Sequence, residues 1–246
     1  MTGRTTIALD TARGAGDGAV TVDVRPHPAA RRLTLRVDPS GPHVRLTVPP
    51  GVSLAEARRF VRERADWVID QLATAGPRRR LEPQALLPFR GTDHRIDWSA
   101  DRPRRVGLAA GRLTVGGPRD HVEARVVRWL KGQARARLTA ASAAHAGRLG
   151  VAVGRVAIRD TRSRWGSCSG TGTLSFSWRL ILAPDAVLDY VAAHEVAHLR
   201  EMNHSPAFWA LVDRLVPDAA SSRRWLKRTG ARLMLYGPPP GAGGDG

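Results

Sequence analysis

The chain contains one cysteine, Cys168, among its 246 residues. A single cysteine excludes an internal disulfide framework, and it also excludes a zinc module built from several cysteines. A chain that can form no internal disulfide is typical of a reducing compartment.

Long apolar runs are also missing. The first ten residues lack the apolar centre of a signal peptide. No stretch reaches the roughly 18 apolar residues that a membrane helix needs. Together with the cysteine count, these absences predict a cytoplasmic, soluble protein with no membrane segment.

Lysine and acidic residues are scarce beside arginine. Lys131 and Lys227 are the only lysines among 39 basic residues, and 22 acidic residues leave a net charge of +17. Such a charge can draw a protein to nucleic acid or to an acidic surface. It can equally be the solvated face of an arginine-rich chain, since no basic recognition motif is present. Non-specific nucleic-acid binding through a basic surface therefore stays open, and the oligomeric state is not indicated.

The N-terminal half alternates apolar and polar residues, which is typical of half-buried strands. We expect residues 1–18 to be disordered and residues 19–118 to form an antiparallel, β-rich region with one helix. The turn-forming segment 38–42 predicts an antiparallel meander there. Ser53 and Glu56 have the spacing of a capping box, and a helix should run from them to Leu72.

Residues 119–236 change to a helical period. A long helix is predicted from Asp120 to Gly147, and a second helix should begin at Pro184. Short strands between them predict a small antiparallel sheet. The expected fold class is therefore α+β, with a zincin-like catalytic part over residues 119–236 and a disordered tail over 237–246.

The second of these helices contains His194-Glu195-Val-Ala-His198. Residues four apart lie on one helical face, so both imidazoles can bind one ion, and imidazole suits zinc. Glu195 lies next to the first ligand, where its carboxylate can act as general base toward a water that the metal activates. The motif alone also occurs by chance on helices that bind no metal.

A catalytic zinc needs a third protein ligand, and Glu201 and His204 are the candidates. Glu201 would have to reach back along the same helix, because seven residues rise about 10.5 Å. His204 is favoured if the helix ends near Met202–Asn203 and Asn203 adopts the left-handed conformation that stops helices. Glu201 then becomes a residue that orients a histidine, or a surface acid.

For several other residues near the motif, the sequence allows a functional or a structural interpretation. Arg162 and Arg164 could stabilise an oxyanion or could fix their own loop. Tyr190 could donate a hydrogen bond into the cleft or could pack at the start of the helix. Cys168 is interpreted as a packing thiol, because no histidine remains to serve as its base. We expect the other histidines to lie on the surface: His27, His43, His94, His121 and His145.

Two stretches together resemble a known family. The first is Arg162-Ser-Arg-Trp165-Gly166-Ser-Cys168-Ser, followed by the strand 174–180. The second is Asp189-Tyr190-Val through His194-Glu195-Val-Ala-His198, then Asn203-His204-Ser205 and Phe208-Trp209. In order and spacing they resemble the YgjP-like family of zinc metallopeptidases, relatives of the SprT-like and WLM proteases. The resemblance extends over roughly residues 20 to 235.

The resemblance implies one Zn²⁺ per chain held by His194, His198 and His204, with Glu195 as catalytic base and a protein or peptide as substrate. It leaves the substrate unspecified. A basic nucleic-acid-associated module with a structural metal, a protease recruited to DNA and an inactive relative are the alternatives. The presence of Glu195 argues against an inactive relative.

Overall fold

The structure, a computed structural model, describes residues 5–9, 20–38, 43–74, 78–161 and 164–238. The chain divides into two compact units, Met1–Pro77 and Arg78–Gly246, called the N-terminal and C-terminal units below. The predicted boundary after residue 118 falls within the C-terminal unit. The reason is that Leu87, Ile96 and Leu113 share one buried core with the helices that follow them.

The N-terminal unit begins with a four-stranded sheet. Its strands are β1 (Thr5–Leu9), β2 (Val20–Pro26), β3 (Thr34–Val37) and β4 (Val44–Val48), in the order β1-β2-β4-β3. β3 and β4 form the predicted antiparallel hairpin, but β2 pairs with β4 in parallel, so the predicted meander is wrong. Disorder through residue 18 is also wrong for Thr5–Leu9, which pairs with β2; residues 1–4 and 10–18 lie outside the described residues.

Two helices follow, where one was predicted. Ser53 and Glu56 form the expected capping box at the start of α1 (Leu54–Arg62). The hydrogen bonding then tightens at Arg64, whose N–H bonds to the carbonyl of Val61, and α2 (Ala65–Thr74) begins. Buried side chains of both helices and the sheet form this unit's core: Ile7, Val22, Val24, Val44, Leu46, Val48, Ala57, Val61 and Val68.

The C-terminal unit opens with a second four-stranded sheet of the same arrangement. Its strands are β5 (Leu86–Phe89), β6 (Thr92–Ser99), β7 (Val106–Ala109) and β8 (Arg112–Gly116), in the order β5-β6-β8-β7. In both sheets the outer pairs are antiparallel and the central pair is parallel. No sequence repeat predicts this, because alternation of apolar residues does not specify which strands pair.

Helix α3 (Val122–Leu149) is the long helix predicted from the apolar spacing. It ends at Gly150, whose φ of 65° is the left-handed conformation that glycine adopts without strain. Its predicted stripe is buried: Val122, Val126, Leu130, Ala134 and Leu138. His145 near its end is buried as well and bonds Asp189 at 2.9 Å, and His94 is buried in β6, so the predicted surface location is wrong for both.

A three-stranded sheet and three helices complete the unit. The strands are β9 (Arg155–Arg159), β10 (Gly166–Cys168) and β11 (Thr173–Ser177), in the order β10-β11-β9. The helices are α4 (Asp185–Ala197), α5 (Pro206–Leu215) and α6 (Ala219–Leu233). β10 pairs with β11 antiparallel, and β9 joins β11 in parallel. The mixture of separate sheets and helices confirms the predicted α+β class.

The segment after α6 closes the C-terminal unit. The fully buried Arg179 donates to the Tyr236 carbonyl at 3.0 Å and pairs with Asp160 at 2.5 Å. Arg78, at the start of the unit, donates to the carbonyls of Gly237 and Pro238, both at 2.9 Å. Residues 237 and 238 are thus held in place, and the rest of the predicted disordered tail lies outside the described residues.

Asp185 links three elements of this unit. Its carboxylate accepts hydrogen bonds from Arg90, between β5 and β6, and lies 3.2 Å from Arg137 of α3. The bond from Arg90 and the charges of both arginines lower the pKa of Asp185. Because the side chain is 43% exposed, solvent screening limits the stabilisation to about 1 kcal/mol.

We expect Asp185→Asn to lower the free energy of unfolding by about 0.5–1 kcal/mol at neutral pH. A lowered carboxyl pKa stabilises the fold above the unfolded value and loses that effect as the pH falls through the folded value. The difference between variant and wild type should therefore vanish at acid pH. Urea unfolding followed by tryptophan fluorescence tests this, with Asp101→Asn in an exposed turn as control. A difference that persists unchanged at low pH would contradict it.

Among the described residues, no helix has both the length and the apolar character required to cross a membrane.

Candidate metal centre

Three histidines converge at one end of α4. His194 and His198 come from the last turn and the C-cap of the helix, and His204 comes from the segment before α5. One ring nitrogen of each lies within 4.8 Å of those of the others, and the Nε2 atoms of His194 and His204 are 3.2 Å apart. Three nitrogens this close form a group that one ion can bridge.

The chain reverses direction between the second and third histidines. α4 ends at Ala197, earlier than predicted, and a tight turn brings the N–H groups of Arg200 and Glu201 onto the Ala197 carbonyl. Asn203 does not have a positive φ, so the predicted left-handed stop at Asn203 is wrong. Ser205 then caps α5 by accepting from the Phe208 N–H, with Pro206 in the first turn. This short reversal presents His204 to α4 from a second direction.

His198 is oriented by the main chain. Its Nδ1 lies 3.0 Å from the carbonyl oxygen of Glu201, which can only accept a hydrogen bond. The proton therefore resides on Nδ1, and Nε2 keeps its lone pair. Glu201 thus contacts His198 through its main-chain carbonyl, and a role for its carboxylate stays a prediction.

His194 is held in its neutral form. Burial, followed by the neighbouring His198 and His204, lowers the pKa of His194 to about 4. Burial also lowers the pKa of His198. Phe208 and Trp209 of α5 line the histidines, with ring centroids 4.9 and 5.8 Å from that of His194. Neutral imidazoles in an apolar wall offer free lone pairs at physiological pH.

Glu195 is 5% exposed and follows His194 on α4. Burial raises the pKa of its carboxyl to about 7, and the positive charge of Arg164 opposes this rise. A carboxyl with a pKa near neutrality can both accept and return a proton, which general acid–base catalysis requires.

The backbone of Gly166 in β10 packs directly on Glu195. A Cβ atom at residue 166 would lie 2.4 Å from Oε1 and 2.6 Å from Cγ of Glu195. Any side chain at this position would therefore occupy the space of the carboxylate. This contact is the physical reason for a glycine at position 166, and a glycine between Trp165 and Ser167 was its only sequence signal.

The remaining predicted residues lie at different places around the group. Arg164 is exposed and its charge lowers the pKa of Glu195, and its carbonyl accepts a hydrogen bond from the Thr161 hydroxyl at 2.6 Å. Arg162 lies outside the described residues. Tyr190, one turn before His194, is 6% exposed, and the two ring centroids are 6.0 Å apart.

Cys168 is half-buried, and burial followed by the charge of Glu195 raises its pKa. A protonated thiol is a poor nucleophile, so the packing role predicted for this residue stays in place.

One residue near the group escaped the sequence analysis. Arg223 of α6 lies over Trp209, with its guanidinium carbon 4.7 Å from the ring centroid. No spacing relates residue 223 to the histidine motif, so only the packing of α6 against α4 could reveal it.

Taken together, the geometry provides three imidazole nitrogens beside a buried carboxylate. Such a set can hold a divalent ion and move a proton close to it. The functions that this combination can serve are those of a metal-assisted hydrolase.

The model of the YgjP-like metallopeptidase domain matches residues 31–229, which is most of the chain. No curated protein matches. Among solved structures, the crystal structure of the metallopeptidase zymogen of Pyrococcus abyssi abylysin is similar at 22% sequence identity and a TM-score of 0.30. The match covers 42% of this chain and 95% of that chain.

Proposed function

Because the chain belongs to the YgjP-like metallopeptidase family, we propose that it hydrolyses peptide bonds with one zinc ion and with Glu195 as general base. The chain is a peptide-bond hydrolase by family. The observation that carries it is the convergence of three imidazoles beside the buried carboxylate of Glu195. Every residue to which we give a role lies within the predicted catalytic part, residues 119–236.

The residues fit zinc. The donor set is three histidines, His198 already has its Nδ1 proton on a carbonyl oxygen, and His194 is neutral through burial. These are the properties of imidazoles that bind Zn²⁺, and three protein ligands leave the open position of a catalytic site. Bound there, zinc would supply Lewis-acid polarisation of the scissile carbonyl and of the attacking water.

Glu195 moves the proton. Its carboxylate takes a proton from the attacking water as the carbon–oxygen bond forms, and the same oxygen returns it to the amine nitrogen as the carbon–nitrogen bond breaks. Gly166 fixes where this carboxylate lies, and Arg164 favours its ionised form. Each turnover consumes one water and breaks one peptide bond, and it leaves the Glu195 carboxylate as it began.

Two other residues are proposed to assist. Burial raises the pKa of Tyr190, so its phenol keeps its proton and can donate to an oxygen of the substrate. Glu201 orients His198 through its carbonyl oxygen. We also propose that the enzyme works in the cytoplasm, where Cys168 stays reduced.

Zinc binding gives the first test. We expect purified wild type to bind one zinc ion per chain, and His204→Ala to weaken the affinity by more than about 100-fold, since losing even a hydrogen-bond partner of a ligand costs about 10–100-fold. Ligand linkage should raise the stability of wild type by about 2.7 kcal/mol at zinc concentrations 100 times Kd. Metal analysis and thermal unfolding measure both.

The exposed His121, at the start of α3, provides the control variant His121→Ala, which should bind zinc like wild type. Wild type that neither binds zinc nor gains stability from it would refute the proposed metal site.

A second candidate function follows from helix α6. It contains no acidic residue and carries five exposed cations: Arg223, Arg224, Lys227, Arg228 and Arg232. A row of cations can track a phosphate backbone, so non-specific nucleic-acid binding is the alternative. A salt titration of DNA binding decides it: a steep loss of affinity with salt supports this function, and negligible binding at low salt removes it.

A further inference from the structure

Arg223 reaches the wall of the metal centre across Trp209. The indole of Trp209 stacks with the imidazole of His204, with ring centroids 5.7 Å apart and planes inclined by 27°. The guanidinium carbon of Arg223 lies 4.7 Å from the centroid of the same indole. The cation therefore belongs to the wall of the centre although it comes from a different helix.

Tyr190 and Trp209 both lie against His194 of α4. The ring centroid of Tyr190 is 6.0 Å from that of His194, and the centroid of Trp209 is 5.8 Å from the same imidazole. Arg223, which lies over Trp209, and Tyr190 therefore both border the His194 ring, one from α6 and the other from α4.

No carboxylate neutralises Arg223 within residues 78–161 and 164–238 of the C-terminal unit. The ion pairs described there are made by Arg90, Arg102, Arg137, His145 and Arg179, and none is made by Arg223. An unpaired cation beside histidines that would hold a divalent cation is electrostatically unfavourable. The arrangement becomes favourable when an anion lies between the two charges.

We propose that Arg223 and Tyr190 form a carboxylate subsite that selects peptides with a carboxylate next to the scissile bond. The inference rests on the proposed function and names its substrate class. One guanidinium and one phenol match the single charge and two oxygens of a carboxylate. Arg223 is a specificity-determining residue and not a proton donor in the reaction, because it lies on Trp209 and not on Glu195.

The carboxylate can come from two sources, an aspartate or glutamate side chain or the free C-terminus of the peptide. Both have the same chemistry, so the test keeps them apart. Peptides of one neutral sequence are prepared with an internal glutamine or glutamate near the scissile bond, each with a free or an amidated C-terminus.

The readout is the ratio of kcat/KM for the acidic peptide to that for its neutral partner, measured with zinc-loaded full-length protein. Both kcat/KM values are measured on the same preparation. The fraction of a variant that is folded and zinc-loaded therefore affects both values equally and does not change their ratio. We expect a ratio of about tenfold or more for wild type. It should fall to about one in Arg223→Ala, recover in part in Arg223→Lys and fall below one in Arg223→Glu.

Arg224→Ala is the matched control, since it removes one exposed charge from the same helix, and it should keep the wild-type ratio. A response to internal glutamate supports the side-chain source, and a response to the free terminus supports the terminal source.

Two outcomes overturn the inference. Equal ratios in wild type and Arg223→Ala would overturn it alone, leaving the peptidase in place. Failure of zinc-loaded wild type to cleave any of the peptides would overturn the proposed function and this inference with it.

Discussion

Glu195→Gln is expected to lower kcat by about 10²–10⁴-fold or more while zinc stays bound. Glutamine keeps the size and one oxygen of the side chain, but it cannot take a proton from water at neutral pH. The histidines are unchanged, so the variant separates proton transfer from metal binding. Steady-state hydrolysis of a quenched fluorescent peptide and metal analysis of the same preparation measure the two effects.

Glu82→Gln, the same change at an exposed site in a turn, is the control and should retain full activity. If Glu195→Gln kept wild-type turnover, another group would have to act as base, and the mechanism given above would be wrong. With an inactive Glu195→Gln as reference, a cleavage comparison with wild type across a cell extract identifies natural substrates.

Gly166→Ala is expected to lower kcat to a similar degree without changing any of the histidines proposed to bind zinc. The new methyl group would lie 2.4 Å from Oε1 and 2.8 Å from Cδ of Glu195, so the carboxylate has to move. A displacement of about 1 Å can cost about 10²-fold in rate, and crowding a packed site costs about 1–3 kcal/mol of stability. Activity, zinc content and urea unfolding distinguish these contributions.

Gly170→Ala is the matched control, because a Cβ at Gly170 in the same segment meets no atom within 4 Å. A double-mutant cycle gives the sharper test. If Gly166 acts through Glu195, Gly166→Ala should cost nearly nothing further in the Glu195→Gln background, since residues in contact are not additive. Additive losses, or a fully active Gly166→Ala, would contradict the role assigned to the glycine.

The three histidines proposed to bind metal were accessible from the sequence because their spacing is local. His194 and His198 are four positions apart, which puts both rings on one helical face, and Ser205-Pro206 predicts the start of the next helix. The spacing therefore predicted which histidines would meet. The spacing predicted less well how the chain turns. The turn is made by hydrogen bonds from the N–H groups of Arg200 and Glu201 to the Ala197 carbonyl, and Asn203 does not adopt the left-handed conformation.

Contacts between distant segments were not accessible in this way. Gly166 and Glu195 are 29 positions apart, and nothing in either motif specifies that one lies on the other. The parallel pairing of β2 with β4 is hidden for the same reason, because the period of apolar residues predicts strands but not their neighbours. β1 was missed because its short run lies beside a Gly- and Ala-rich stretch.

The segment that closes the C-terminal unit also affects the order of events during protein synthesis. The ribosome makes the histidines and Glu195 well before Tyr236, Gly237 and Pro238, whose carbonyls receive Arg179 and Arg78. Until those residues emerge, the guanidinium of Arg179 lacks main-chain acceptors in a site where an unsatisfied charge is costly. The buried guanidinium of Arg179 therefore reaches its main-chain acceptors only after Tyr236 and Pro238 have been translated.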